Sequence, residues 1–224
     1  MAEQLVFDLP VVTAFGRDDF FTSPANSLAV AAIEDWRHWP LGKLVLSGPE
    51  GSGKSHLGRI WADIASAKVV QARDVKDAAT LARGALCVEN LHAIAGDRTQ
   101  EAALFHLHNL MAQGGYPLLM TGRGVPRSWG ITLPDLASRI EGSQLVQLGA
   151  PDDTLLAAVL LKLCADRQLL MEPGVVDVIL RRAERSFAGI RALVGELDRV
   201  SLQRKRPVGP RMVTETLRRL EEMN

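Results

Sequence analysis

The run Gly48-Pro49-Glu50-Gly51-Ser52-Gly53-Lys54-Ser55 constrains this chain more than any other stretch. It fits G-x-x-x-x-G-K-[ST], a loop whose backbone wraps a phosphate group. The pattern carries weight only between a strand and a helix, and both flanks qualify. Lys43 to Ser47 reads as a short buried strand. His56 to Ala67 reads as a helix with Leu57, Ile60, Trp61 and Ile64 on one face. Gly48, Gly51 and Gly53 let the backbone curl around an anion, so that exposed amides and the helix N-terminus point at it. Lys54 then supplies a point charge to the β- and γ-phosphates of ADP or ATP, and Ser55 a hydroxyl to Mg²⁺. Ser52 and His56 complete the expected nucleotide-holding set. A glycine-rich turn matching by chance is the plain alternative, and the flanking strand and helix argue against it.

Composition excludes several function classes. Lys+Arg and Asp+Glu both number 26, so the formal net charge is zero. DNA binding by bulk electrostatics needs a basic surface, which this balance does not supply. The one dense basic stretch, Arg199 to Arg211, reads as a solvated helix end and loop. The two cysteines, Cys87 and Cys164, sit in apolar contexts and read as buried free thiols in a reducing compartment, with no metal-ligand spacing. Met1 is not followed by a basic region and an apolar run, so no signal peptide is expected. No apolar run approaches the roughly 20 residues of a membrane span. The expectation is a cytoplasmic protein.

Along the chain, Gln4-Leu5-Val6-Phe7-Asp8-Leu9 precedes Pro10. Its residues leave two readings open. One is an extended peptide laying Leu5, Phe7 and Leu9 into a groove with Gln4 as polar anchor. The other, favoured by the residues alone, is a strand or tail packed on its own domain. A helix from about Asn26 to Trp39 follows, with Asn26 or Ser23 as cap and Pro40 closing it. Strands are then expected at Lys68 to Gln71, Ala85 to Asn90, Pro117 to Thr121 and Gln144 to Leu148. Helices are expected at Asp74 to Arg83, Arg98 to Gln113 and Leu133 to Arg139. With the first strand, this alternation makes a five-stranded parallel α/β sheet. His106 and His108 lie two apart on a helix and cannot share a face as a metal pair. Beyond Pro151 only helical patterns remain: Asp152 to Leu170, Pro173 to Glu184, Phe187 to Gln203 and Pro210 to Met223.

A P-loop α/β base followed by a helical lid resembles the AAA+ ATPases. Leu86-Cys87-Val88-Glu89-Asn90-Leu91-His92-Ala93-Ile94-Ala95-Gly96 resembles the Walker B region of the DnaA-related family. Leu133-Pro134-Asp135-Leu136-Ala137-Ser138-Arg139-Ile140 is similar to the arginine-finger segment of its Hda-type regulators. Phe187-Ala188-Gly189-Ile190-Arg191-Ala192-Leu193 is similar to the lid helix that carries sensor II. The N-terminal Gln-Leu-x-x-x-Leu resembles the peptide by which Hda-type proteins dock on the DNA polymerase sliding clamp. The implied organisation is a clamp-binding tail over residues 1–10, a nucleotide-binding base over 11–150 and a helical lid over 151–224. Only the 14 residues 72–85 separate the second and third strands, where DnaA has a longer helical insert for single-stranded DNA. No DnaA-type helix-turn-helix segment follows the lid. Both features are expected of a regulator rather than an initiator.

The resemblance implies roles for particular residues. Arg139 would be an arginine finger inserted in trans, stabilising charge on a partner's transferring phosphate. Glu89 would be the Walker B acid supporting Mg²⁺ through water, with a solvated strand-end acid as its bland alternative. Thr121 ends the fourth strand beside the nucleotide, and Arg191 approaches it from the lid. The departures matter too. Glu89 is one methylene longer than the expected Asp, Asn90 replaces a second acid and cannot act as a base, and Arg123 falls where a sensor I Asp is expected. The implied site binds nucleotide well and hydrolyses it slowly. Gln4, Leu5, Phe7 and Leu9 would bind the clamp, DnaA would be the second partner, and DNA would be reached only through the clamp. A homodimer is left open. The competing expectations are a self-sufficient ATPase or loader remodelling a DNA-bound complex, and a nucleic-acid-binding module with nucleotide as a switch.

Overall fold

The computed structural model describes residues 21–222. The tail residues Gln4, Leu5, Phe7 and Leu9 lie outside them. Five strands run β1 (Lys43–Gly48), β2 (Lys68–Gln71), β3 (Leu86–Glu89), β4 (Leu118–Arg123) and β5 (Gln144–Gln147). They form one sheet in the order β2-β3-β4-β1-β5, and every adjacent pair is parallel. β1 and β3 are buried at every position, as expected of inner strands covered on both faces. The P-loop follows the inner strand β1.

Nine α-helices surround or follow the sheet among the described residues: α1 (Ser27–Glu34), α2 (Lys54–Ala65), α3 (Ala78–Leu81), α4 (Arg98–Gln113), α5 (Pro134–Glu141), α6 (Asp153–Asp166), α7 (Val175–Arg182), α8 (Phe187–Arg204) and α9 (Pro210–Glu222). The sequence places β2 and α4 to the residue. It errs where tertiary contacts decide. The helix expected to reach Trp39 stops at Glu34 and gives way to short 3₁₀ turns. The Asn26 side chain does not cap α1; it accepts from the Ser23 amide at 2.8 Å and donates to the Phe21 carbonyl at 3.0 Å. Trp39 instead stacks on Trp61 with centroids 5.1 Å apart. The helix expected over residues 74–83 is split into a 3₁₀ turn at Ala72–Asp74 and the single turn α3, which Asp77 caps by accepting from the Thr80 amide. Of the predicted α2 stripe, Leu57, Ile60 and Trp61 are buried but Ile64 is 37% exposed.

Two apolar clusters flank the sheet, one under α4 and α5 and one under α1 and α2. A third lies within the C-terminal helices, drawing on Leu156, Leu160, Ile179, Leu193, Leu197 and Val213. The C-terminal region is all helical, apart from one isolated bridge between Met171 and Val208. Cys87 and Cys164 are both buried free thiols, and burial raises both pKa values. No helix among the described residues is long and apolar enough to cross a membrane.

Candidate phosphate-binding site

The loop between β1 and α2 needs glycine for two separate reasons. Gly51 and Gly53 have φ of +69° and +94°, in the left-handed region that side chains avoid. A Cβ on Gly51 would also lie 2.7 Å from Ser186 Cβ, and one on Gly53 would lie 3.0 Å from the Phe187 ring. The loop is therefore pressed against the start of α8, and the Phe187 amide donates to the Gly51 carbonyl at 3.3 Å. Ser186 fixes that helix start by accepting from the Gly189 amide at 2.9 Å. Thus the C-terminal helices close directly over the phosphate loop.

Lys54 is 9% exposed. Its ammonium donates to the carbonyls of Gly48 at 2.9 Å and Pro49 at 2.5 Å. Burial lowers its pKa, the Arg123 guanidinium lowers it further, and the Glu50 carboxylate opposes them. A cavity of about 320 Å³ opens above it, within the range of small-ligand sites. Gly51, Gly53, Ser55, His56 and Asn90 line it, together with Lys54, Arg59, Arg123 and Arg191 as cations. Glu50 is the one acid in that lining, and it ion-pairs with Arg123 across the mouth. Four cations against one paired acid suit a polyphosphate. A second, smaller recess of about 40 Å³ beyond His56 is lined mostly by apolar side chains, among them Phe21, Leu57, Leu148, Leu155, Val159 and Phe187.

The strand-end residues occupy different depths. Asn90 lines the cavity, with φ of +61°. Its side-chain amide donates to Gln71 Oε1 at 2.8 Å, and Gln71 Nε2 donates to Glu89 Oε2 at 2.8 Å. Glu89 is 4% exposed, its Oε1 has no hydrogen-bond partner, and it does not line the cavity. Thr121, 1% exposed, sits behind the site and accepts from the Asn90 amide at 3.2 Å. Gly48 closes the end of β1 in register with Arg123, and Ser52 is buried beside Lys54, with Oγ 3.4 Å from its Nζ. Sequence reasoning missed three members. His92 lines the cavity and accepts from the Arg123 amide at 3.1 Å; burial first, and then the neighbouring Arg123 and Lys54, lower its pKa. Arg59 and Gln71 are the others. No motif marks them; Arg59 is signalled only by lying on α2 one turn beyond Ser55.

Arg139 is not part of this cavity. It lies exposed in the last turn of α5, with no ion pair among the described residues. Ser143 Oγ donates to its carbonyl at 2.9 Å, and β5 begins beside Leu44 at the start of β1. The phosphate loop begins at the opposite end of β1, about 16 Å away at ~3.3 Å per residue. Glu101, fully buried on α4, holds the base of α5. It accepts from the Gly96 amide at 2.8 Å, the Leu133 amide at 2.8 Å, and the Thr132 amide and hydroxyl. Burial would raise its pKa, but those hydrogen bonds outweigh burial and lower it.

No family model matches the sequence. Solved structures do. Domain III of the Thermotoga maritima replication initiation protein DnaA superposes with a TM-score of 0.80 over 89% of this chain and 94% of that one, at 16% identity. The chain therefore shares the fold of that DnaA domain. AMPPCP-bound DnaA from Aquifex aeolicus matches at a TM-score of 0.67 and 17% identity, covering 83% of this chain and 67% of that one. A Thermotoga maritima RuvB structure matches at 0.66 and 17%, covering 87% and 67%. The cavity lies where the phosphate loop meets the start of α8, and Arg139 lies towards the opposite end of the sheet.

Proposed function

We propose that this chain is a nucleotide-bound negative regulator of replication initiation. In this reading residues 11–150 form the base and 151–224 the lid. ADP or ATP sits with its phosphates on Gly48, Gly51, Ser52, Gly53, Lys54, Ser55 and His56. Mg²⁺, where bound, would be held by Ser55 and supported by Glu89 through water, and would neutralise phosphate charge. The donor set fits: the cationic lining suits polyphosphate, and Ser55 is exposed to the cavity. Arg191 approaches the phosphates from the lid. Asn90 in place of an acid, and Glu89 drawn back onto Gln71, support slow intrinsic hydrolysis. The nucleotide's main role is then to fix the base against the lid.

One observation carries the reading. Arg139 is an exposed guanidinium without an ion pair among the described residues, roughly one strand length from its own phosphate loop. Such a group cannot serve its own nucleotide, but it can serve a neighbour's. The neighbour proposed is ATP-loaded DnaA, whose hydrolysis Arg139 would accelerate as a finger in trans. The N-terminal Gln4, Leu5, Phe7 and Leu9 would tether the chain to the sliding clamp, raising its effective concentration at the replication fork.

The test mixes the purified protein with ATP-loaded DnaA and clamp on DNA and follows phosphate release. Arg139→Ala is expected to retain nucleotide and clamp binding and to lose at least about 10³-fold of the stimulation. Full stimulation by that variant sinks the finger role. Replacing Gln4, Leu5 and Phe7 by Ala is expected to abolish clamp pull-down; unchanged capture removes the tether from the scheme. Rapid ATP turnover by the isolated chain would favour a self-sufficient motor instead.

A further inference from the structure

The C-terminal helices carry a patch of positive charge that the zero net charge of the whole chain hides. Arg181 and Arg182 end α7, and Arg211 and Arg218 lie two turns apart on α9. All four are exposed, and none has an ion pair among the described residues. Other arginines of these helices do: Arg185 pairs with Asp153, Arg199 and Arg219 with Glu196, and Arg204 with Glu215. The four unpaired ones line three open hollows along the α7 and α9 face, and Thr214 borders all three. Arg182 ties the two helices together by donating to Thr214 Oγ1 at 3.2 Å. Two acids share the lining. Glu215 is already taken by Arg204, which leaves Glu221 against four guanidinium groups. Val178 and Leu217, also in the lining, are half-buried against the helical core, and none of the large exposed hydrophobic residues lies there.

We propose that this face binds the phosphodiester backbone of duplex DNA, directly and without regard to sequence. Guanidinium groups suit phosphate: each offers a planar fork of donors, stays charged at physiological pH and is weakly hydrated. An acidic protein is the competing occupant. A protein interface, however, is centred on apolar or aromatic anchors, and this face exposes none. Single-stranded nucleic acid is disfavoured for a related reason: no aromatic side chain lines the hollows, so unpaired bases have nothing to stack on. Duplex backbone asks only for cations held in place, and two turns of α9 set Arg211 and Arg218 about 10 Å apart along the helix axis. None of the four arginines lines the phosphate-binding cavity, so nucleotide and duplex occupy separate surfaces. The inference goes beyond the regulator reading, in which DNA is reached through the clamp, and does not depend on it.

The test titrates the purified protein, without clamp or DnaA, into a fluorescent duplex of arbitrary sequence and follows anisotropy between about 50 and 200 mM salt. If all four arginines meet phosphates, the logarithm of the affinity falls against the logarithm of salt with a slope of about −3.6. Arg211→Ala combined with Arg218→Ala is expected to bring that slope to about −1.8, and Arg181→Ala alone to about −2.7. Replacing Arg211 and Arg218 by Lys is expected to keep most of the slope, because the slope counts charges. These exposed substitutions are expected to melt within about 2 °C of wild type. Arg185→Ala, a cation of the same region outside the hollows, is expected to leave the slope unchanged. Absence of binding at the lowest salt overturns the proposal. So does a slope that the Ala variants do not move, or one that Arg185→Ala lowers as much as Arg181→Ala, since the duplex then sits elsewhere or nowhere in particular. Tighter binding of a single strand of equal length, or of polyglutamate, overturns it too, and the second result marks the face as a dock for an acidic protein. Should the double Ala variant fail to fold, Arg181→Ala against Arg185→Ala decides.

Discussion

At the C-terminal end of β1 the buried Lys54 ammonium is held by the carbonyls of Gly48 and Pro49, with Glu50 paired to Arg123 close by. At the N-terminal end of the same strand Lys43 is largely buried; burial first and then Arg139 lower its pKa, and among the described residues it has no hydrogen bond or ion pair. One strand thus joins a cation that its own backbone satisfies to a cation that nothing in the described chain satisfies. The first end is preorganised: it can accept an anion without rearranging, because loop, helix and lid already fit together. The second end pays in stability, which is the pattern expected where a surface is completed by a partner. If this contrast is right, perturbing the second end should change stability with pH, and perturbing the first should change ligand affinity.

The largest effect is expected at His108. Burial first, then Lys43 and Arg139, push its pKa down from 6.5 to about 4, and neither ring nitrogen has a hydrogen-bond partner among the described residues. The sign follows directly. Between pH 6.5 and about 4 the unfolded chain takes up a proton that the folded ring refuses, so stability falls as pH falls through that window. The loss approaches roughly 3 kcal/mol at the bottom of it. Denaturant unfolding of wild type and His108→Leu across pH 4–7 checks this. The variant should lose that part of the pH dependence; an identical pH profile would mean that the ring carries none of the strain assigned to this end.

Next in size is Lys54→Ala. It removes the charged donor beneath the cavity and should weaken nucleotide binding by about 2 kcal/mol, on the order of 30-fold, while leaving the melting temperature of the ligand-free protein nearly unchanged. Titration with a fluorescent ADP analogue measures it. Undiminished affinity would erase the functional half of the comparison.

How much of this was legible in the sequence depends on the range of the interaction. The phosphate loop was legible because its chemistry is local: glycines, Lys54 and Ser55 are fixed by their own spacing. The parallel sheet was legible because alternating strands and helices leave few other topologies. The finger role proposed for Arg139 comes only through resemblance, since nothing about an Arg near a helix end announces one. The surroundings of Lys43 and His108 were not legible. The strand from Lys43 to Ser47 was expected to be buried, but only the register of β1 against β5 brings Lys43 beside Ser143, just after α5. Glu101 was missed for the same reason, because its hydrogen-bond donors at Thr132 and Leu133 lie some thirty residues away. The short α1 failed differently: the Trp39–Trp61 stack overrode a continuous helical pattern.

The smallest expected effect tests whether the satisfied end really is satisfied throughout. Gln71 on β2 ties Asn90, which lines the cavity, to Glu89, which does not. Glu89 Oε1 already has no partner, so Gln71→Ala would leave both its oxygens without a hydrogen bond from the described chain. A buried acceptor stripped of its donor costs about 1 kcal/mol or somewhat more. The variant should therefore melt a few degrees lower, while its nucleotide affinity moves by less than about threefold, because Lys54 and the loop amides are untouched. A large loss of affinity with no loss of stability would reverse the assignment. Gln71 would then belong to the ligand rather than to the sheet, and the cradle end would depend on its bound anion.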